Sequence, residues 1–190
     1  MELALIYDQE FKGIDFQSTP LEKAEYDNCT FINCNISSIN LSNWEFIECS
    51  FYDCNLSLSS LKNTSFKEVK FEKCKLLGLN FSECNPFLLN MAFKESNLNM
   101  ASFYNLKIAK TSFINCNLTE SDFSESNLEQ SNFLNCDLKN TIFNRTNLTK
   151  VDFSTSVNYA LDPENNEVKQ AKFSKDGLEG LLKKHQIIVV

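Results

Sequence analysis

The chain has 190 residues, among them 17 Phe, 8 Cys and a single His, and its formal net charge is −7. A negative surface repels nucleic acid and anionic lipid, so this balance argues against direct contact with either and is compatible with a basic partner. The first residues lack the basic start and apolar stretch of a signal peptide, and no run approaches the roughly 18 apolar residues of a membrane span. We therefore expect a soluble protein of the cytoplasm.

The dominant feature of the sequence is a bulky apolar residue at every fifth position. One series runs from Phe11 to Phe81, and after a slip of two residues a second series runs from Leu88 through Phe93 to Phe153. We call this position the centre. The position two residues before it, the slot, is mostly Cys, Ser, Thr, Ala or Val. A period of five matches neither the helical period of 3.6 nor the strand period of two.

Two inward positions in every five residues predict a four-sided coil. Each pentapeptide would form one side, with a turn at each corner, and four of them would close a coil that stacks on the next at about 4.8 Å. Four large centres already fill each narrow layer, which explains why the slot is small. The sequence thus predicts an all-β fold, a parallel β-helix whose remaining positions face solvent.

The order of the aromatic residues divides the array in two. After residue 93, Phe alternates with Leu or Ile at the centres, which places Phe on two opposite sides of the square. Before residue 81, the aromatic centres form two ladders on adjacent sides: Phe11, Phe31, Phe51 and Phe71, then Tyr26, Phe46 and Phe66. We predict β-helix subdomains at 11–83 and 93–157, joined by a register break at 84–92.

The break has two interpretations. Proline cannot donate a backbone hydrogen bond, so Pro86 suits an interruption of the ladder, and the simpler interpretation is a bulge that joins the subdomains. The alternative is a loop for a partner, although two extra residues leave little chain to protrude.

The two ends of an open β-helix need covering. We expect residues 1–10 to cap the first coil and residues 158–190 to cap the last. Ser174 is placed to cap a short α-helix, and the residues after that helix resemble an apolar strand. This tail has more apolar surface than a cap requires, in Leu178, Leu181, Leu182, Ile187 and Ile188.

All eight cysteines fall in the slot. Those on neighbouring coils would point the same way, unlike the converging geometry of a disulfide. Their five-residue spacing also does not gather four zinc ligands at one point. Free, buried thiols that act as small apolar fillers are the preferred interpretation, and they fit a reducing cytoplasm.

Catalytic motifs are absent from the sequence. His185 is the single histidine and lies in the terminal cap, while Asp122 and Glu125 lie on a convex face where carboxylates gain no desolvation. There is no Gly-rich phosphate loop, basic patch or metal-ligand motif. We expect no enzyme, metal or cofactor; an enzyme would need a pocket at the break or beneath the cap.

The repeats SNLNM, CNLTE, SDFSE, SNLEQ, CDLKN and TNLTK at 96–150 match the consensus of the pentapeptide-repeat family, which is a small residue, Asp or Asn, Leu or Phe, and two variable residues. The resemblance covers about residues 11–155 and implies a right-handed quadrilateral β-helix. The segment ALDPENNEV and the apolar ending further resemble quinolone-resistance proteins and the microcin B17 immunity protein, in which a helix and tail form a two-fold dimer. This resemblance implies a homodimer through the apolar tail residues.

Those relatives resemble DNA rods and are thought to engage the DNA-binding saddle of DNA gyrase or topoisomerase IV. The resemblance implies a DNA-mimicking, non-enzymatic modulator that protects against quinolones or a toxin. The carboxylates expected to bind the partner are Glu120, Asp122, Glu125, Glu129 and Asp137, in a segment without Lys or Arg, together with Glu45, Glu48 and Glu68. The alternative is a structural or adaptor scaffold with an unknown partner, whose charges only confer solubility.

Overall fold

A computed structural model describes residues 3–188, which form one stack of short parallel strands. The strands are β1 (Ala4–Tyr7), β2 (Glu10–Lys12), β3 (Ala24–Asp27), β4 (Thr30–Ile32), β5 (Glu45–Ile47), β6 (Ser50–Tyr52), β7 (Ser65–Lys67), β8 (Val69–Glu72), β9 (Met91–Lys94), β10 (Ser112–Ile114), β11 (Asn132–Leu134), β12 (Asp152–Phe153) and β13 (Lys172–Phe173). A 3₁₀ turn (Phe81–Glu83) precedes the register break, and α1 (Glu179–Leu182) with a second 3₁₀ turn (Lys183–His185) follows the last strand. No strand exceeds four residues, because a corner follows each pentapeptide.

The corners are made by residues in the left-handed backbone region. At most corners the residue two positions after the centre has a positive φ, as at Asn33 (50°), Asp53 (54°) and Lys73 (55°) along one edge of the helix. Asn and Asp tolerate this region better than most residues, which accounts for their frequency there. The last position of each pentapeptide therefore turns the chain through the corner.

Each coil has four faces, which we number in chain order. Face 1 is a nine-stranded parallel sheet of β2, β4, β6 and then β8 to β13, and face 4 is a four-stranded parallel sheet of β1, β3, β5 and β7. Faces 2 and 3 are held by isolated bridges, such as Asn35 to Asn55 on face 2 and Ser102 to Asp122 on face 3. Each residue pairs with the residue 20 positions later, which is the coil length that the sequence predicts.

Stacked aromatic rings fill the interior and confirm the predicted ladders. On face 1 the ring of Phe31 lies 4.7 Å from that of Phe51, and on the opposite face 3 the ring of Phe103 lies 4.7 Å from that of Phe123. Full burial of one such side chain contributes about 1.5–3 kcal/mol, so the two ladders supply much of the driving force for folding.

The sheet on face 1 crosses the register break without interruption. Phe71 pairs with Phe93, a step of 22 residues in place of 20, and their rings stack at 5.4 Å. The two extra residues therefore leave the coil elsewhere, on face 4. The division at 84–92 remains a prediction about independent subdomains, because the backbone pairing runs straight through it.

The loop of the break projects from face 4. Asn85 and Asn90 anchor it, since their N–H groups donate to carbonyl oxygens of the preceding coil at 2.9 Å each. Between the anchors, Phe87 and Leu88 are each 65% exposed. The prediction of Leu88 as an inward centre is wrong, because the insertion lifts this segment out of the coil.

The helical stack extends past the pentapeptides at both ends. β1 pairs with β3 in the 20-residue register and so adds one further side, while the first two residues lie outside the described part of the chain. At the other end β13 pairs with β12, and Phe173 stacks on Phe153 at 5.4 Å. Val168 and Phe173 keep the five-residue spacing, but between Phe153 and Val168 the interior is filled by Tyr159 and Leu161, which do not. The sequence pattern is therefore interrupted before the last coil.

A short cap lies on the last coil. Ser174 Oγ accepts the N–H of Gly177 at 3.0 Å and so closes the turn that leads into α1. The prediction of Ser174 as the helix cap is wrong, because α1 begins at Glu179 with Leu178 at its N-cap and no side-chain cap. Ile187 and Ile188 belong to no strand and are exposed, and the two final valines of the predicted apolar strand lie outside the described residues.

Candidate interaction surface

The interior contains protonated thiols. The eight cysteines are buried and free, as the spacing predicts. Burial raises the pKa of Cys49, Cys54 and Cys74 to about 12, so at neutral pH these thiols are not the thiolates that attack substrates or bind metals. Within residues 3–188 no group of three or more His, Cys, Asp or Glu side chains could hold a metal ion. The charged side chains of this protein lie on its outer faces.

The N-terminal acidic positions lie on face 4 and its edge. Glu45 is in β5, one coil above Glu25, and pairs with Lys67 through a 2.9 Å contact. Glu48 and Glu68 occupy the same corner of successive coils, are exposed, and have no ion pair within residues 3–188. Two of the three predicted carboxylates on this side thus remain available to a partner.

The five acidic positions of the C-terminal half surround the coil and do not share one face. Asp137 lies on face 2, Glu120 at the edge between faces 2 and 3, Asp122 on face 3, Glu125 at the edge between faces 3 and 4, and Glu129 on face 4. No partner surface that meets one side of the helix can contact all five.

Glu125 differs from the other four because it is already paired. Arg145 forms an ion pair with it, and the hydroxyl of Tyr104 donates a hydrogen bond to it at 3.0 Å, which raises the pKa of Tyr104. Sequence reasoning missed both partners. The spacing could have revealed Arg145, since it follows Glu125 by one 20-residue coil.

The turn caps of face 2 and face 3 use two of the remaining carboxylates. Asp122 accepts the N–H of Ser124 at 2.8 Å, and Asp137 accepts the N–H of Lys139 at 3.1 Å. Neither carboxylate forms an ion pair in the described part of the chain. These carboxylates are held in position by their own backbone, which makes them preorganised contacts.

A shallow cleft of about 610 Å³ separates the cap from the last coils. Lys139 and Lys183 line it together with Asp176 and Glu179, so its charges are mixed. Tyr159 lies beneath the cap, 4% exposed, and its hydroxyl has no hydrogen-bond partner among residues 3–188. His185 is exposed at the end of the cap, away from the lining of the cleft.

The apolar tail residues differ in exposure. Leu181 is half-buried against the core, whereas the others are exposed: Leu178 (46%), Leu182 (39%), Ile187 (53%) and Ile188 (88%). No helix among residues 3–188 has the length and apolar character needed to cross a lipid bilayer.

The geometry defines a right-handed, four-sided parallel β-solenoid whose polar groups lie on convex outer faces. The family model for the pentapeptide repeat region matches residues 24–103 and 87–153, more than half of the chain. The chain belongs to the pentapeptide-repeat family.

Solved structures show the same fold along the whole chain. Two trypsin-treated variants of QnrB1, a plasmid-mediated fluoroquinolone resistance protein, each give a TM-score of 0.64. Their identities are 18% and 19%, and the matches cover 98% and 97% of this chain and 100% and 99% of theirs. HetL, a protein involved in heterocyst differentiation regulation in the cyanobacterium Nostoc sp., matches with 12% identity over 93% of this chain and 92% of its own, at a TM-score of 0.46. No curated protein sequence matches this chain.

Proposed function

We propose that this protein is a non-enzymatic binding protein of the bacterial cytoplasm that acts on DNA gyrase or topoisomerase IV. It would occupy the basic DNA-binding surface of the enzyme as a DNA mimic and so protect against quinolones or a toxin. The fold shared with QnrB1 over nearly all of both chains supports this proposal.

The observation that carries the proposal is a set of carboxylates without ion pairs on the outside of a rigid rod. Glu48, Glu68, Glu120, Asp122, Glu129 and Asp137 form no ion pair within residues 3–188. A basic protein surface attracts such groups over about 10 Å at low salt, and the attraction weakens as salt screens it.

A dimer would double the length of this rod. The exposed tail residues favour a two-fold association in which α1 and the segment after it pack on a second copy. Replacement of Leu178 and Leu182 by Glu should then give a monomer in light scattering. A wild type that is itself monomeric at micromolar concentration would leave the tail as a cap.

A second candidate function is a protein-interaction scaffold without a topoisomerase partner. The exposed pair Phe87 and Leu88 favours it, because neighbouring apolar side chains that project into solvent are a feature of protein contact sites. Under this alternative, replacing the acidic residues would not affect binding, whereas Phe87→Ser would.

The deciding experiment is gyrase supercoiling, with and without a fluoroquinolone, over a titration of this protein at two salt concentrations. Inhibition or drug protection that fades with salt supports the proposed function. No effect on either gyrase or topoisomerase IV up to tens of micromolar would reject it and leave the scaffold.

A further inference from the structure

This protein has too little negative charge to imitate a DNA duplex through charge alone. Nine strands of face 1 stacked at about 4.8 Å span about 38 Å, and a DNA duplex of that length carries about 22 phosphate charges. This chain has a net charge of −7. A basic partner must therefore gain affinity from contacts other than charge, and these need exposed apolar side chains beside the carboxylates.

Such side chains occur on face 3 in the C-terminal half. Ser102, Asp122 and Ile142 form one ladder of bridged positions along this face, and Ile142 is 50% exposed. Met100 lies one coil before Glu120 at the adjoining edge and is 58% exposed. Two exposed apolar side chains thus flank two carboxylates over three successive coils.

An aromatic side chain completes this surface. Tyr104 is 44% exposed, and its hydroxyl is held by Glu125, which Arg145 holds in turn. Because these side chains are already held in place, less side-chain conformational entropy is lost when a partner binds. Tyr, Met and Arg are enriched where proteins meet proteins, so the composition fits a protein partner.

The faces beside this surface carry less of the combination. Glu129 on face 4 has Lys107 and Lys110 in the preceding coil. Asp137 on face 2 is bridged to the exposed Val157, but its carboxylate already accepts hydrogen bonds from Asn158 and from its own turn. Face 3 combines two carboxylates with three exposed side chains, Met100, Tyr104 and Ile142.

We infer that face 3 between residues 100 and 145, with Met100, Tyr104, Glu120, Asp122 and Ile142, is the docking face for a basic protein surface. Its partner presents Lys or Arg side chains to Glu120 and Asp122, while the aliphatic parts of those side chains pack on Met100 and Ile142. Glu129 and Asp137 stay in solvent. This inference rests on the proposed function and names the side of the rod that carries it out.

The test compares two pairs of substitutions that change the charge equally. Glu120→Gln with Asp122→Asn removes two charges from the docking face, and Glu129→Gln with Asp137→Asn removes two from faces 4 and 2 in the same coils. Asp122 and Asp137 both cap a turn, and Asn keeps the acceptor oxygen in each case. Ile142→Thr is matched by Val157→Thr, an exposed position on face 2.

Binding is measured on immobilised DNA gyrase and on immobilised topoisomerase IV without DNA, at about 50 mM and about 200 mM salt. We expect the docking-face pair to weaken binding about tenfold or more at low salt and the matched pair by about twofold or less. Ile142→Thr should weaken binding at both salt concentrations, and Val157→Thr at neither. Unchanged thermal midpoints establish that all variants are folded.

The two proposals fail in different ways. Equal weakening by the two charge pairs, or no effect of Ile142→Thr, overturns the docking face while the proposed function stands. A wild type that binds neither enzyme overturns the proposed function, and the docking face with it.

Discussion

The thiol of Cys54 donates a hydrogen bond to the carbonyl oxygen of Phe31, which lies 23 residues earlier and 3.3 Å away. The same bond recurs around the helix with hydroxyl donors, at 2.8 Å from Thr64 to Leu41 and 2.8 Å from Thr141 to Leu118. The slot residue therefore satisfies the carbonyl oxygen of a centre on the coil before. Packing alone would accept Ala at every slot; this bond explains the preference for Cys, Ser and Thr.

We predict that Thr141→Val destabilises the protein by about 0.5–1.5 kcal/mol, because the shape is kept while the buried carbonyl oxygen of Leu118 loses the hydroxyl of Thr141 and keeps the N–H of Ser121 as its donor. Thr141→Ser keeps the hydroxyl and should cost less. The free energy is measured by urea unfolding. Thr119→Val on the outer surface is the control, and an equal loss at position 119 would contradict the assigned role.

The buried thiols predict a loss of stability at alkaline pH. The pKa of Cys54 is raised by burial from 9.0 to about 12, so its stabilising contribution is complete below pH 9 and is lost as pH rises toward 12. The slope is about 1.4 kcal/mol per pH unit for one thiol. Unfolding of wild type and Cys54→Ser is compared between about pH 8 and pH 11.

The free energy of unfolding of Cys54→Ser should fall less steeply with rising pH than that of the wild type. The difference between the two slopes should correspond to one titrating proton. Both proteins retain Tyr26, whose pKa burial also raises, so its effect cancels in the comparison. Identical slopes for the two proteins would show that the thiol of Cys54 is not the titrating group.

The five-residue spacing predicted which side chains are inward, because a residue such as Phe51 has only one side of the coil to occupy. The length of the insertion, however, shows how many residues leave the register and not which ones, so the exposure of Leu88 was missed. The surface is the harder part. Register places Glu125 near Arg145 and also puts Met100, Tyr104 and Ile142 around one face, since all three follow the break. Spacing does not give the hydrogen bond from Tyr104 to Glu125 or the exposed fraction of each side chain.

The packing of the cap predicts a steric coupling between its two glycines and Tyr159. A Cβ atom at Gly177 would lie 1.9 Å from the hydroxyl oxygen of Tyr159, and one at Gly180 would lie 2.1 Å from the backbone oxygen of Tyr159. Either Ala substitution should therefore release the cap. We expect faster hydrogen exchange and proteolysis of residues 174–185 in both variants, with the β-helix intact.

Tyr159→Phe separates the two glycines. The lost hydroxyl has no hydrogen-bond partner within residues 3–188, so the single variant should be as stable as wild type or more so. It should partly rescue Gly177→Ala, which clashes with the hydroxyl, and should not rescue Gly180→Ala, which clashes with the backbone. Equal rescue of both, or of neither, would contradict this packing.

The register break predicts the effect of a deletion. The break reads CNPFLLN at residues 84–90, and removal of Pro86 and Phe87 leaves CNLLN, a pentapeptide with a small slot, Asn, a Leu centre and Asn at the corner. Leu88 would then move from 65% exposed to an inward centre, and face 4 would continue past β7. Burial of that side chain contributes about 1.5–3 kcal/mol, and we expect a smaller net gain in stability because Leu89, now half-buried against the core, moves to an outward position. The gain is read from the urea midpoint and from slower hydrogen exchange in β7.

Deletion of Leu88 and Leu89 is the control, since it removes the same number of residues but places Pro86 at the centre, where its missing N–H breaks the ladder. A lower midpoint for the first deletion would mean that the projecting loop packs on face 4 and stabilises it.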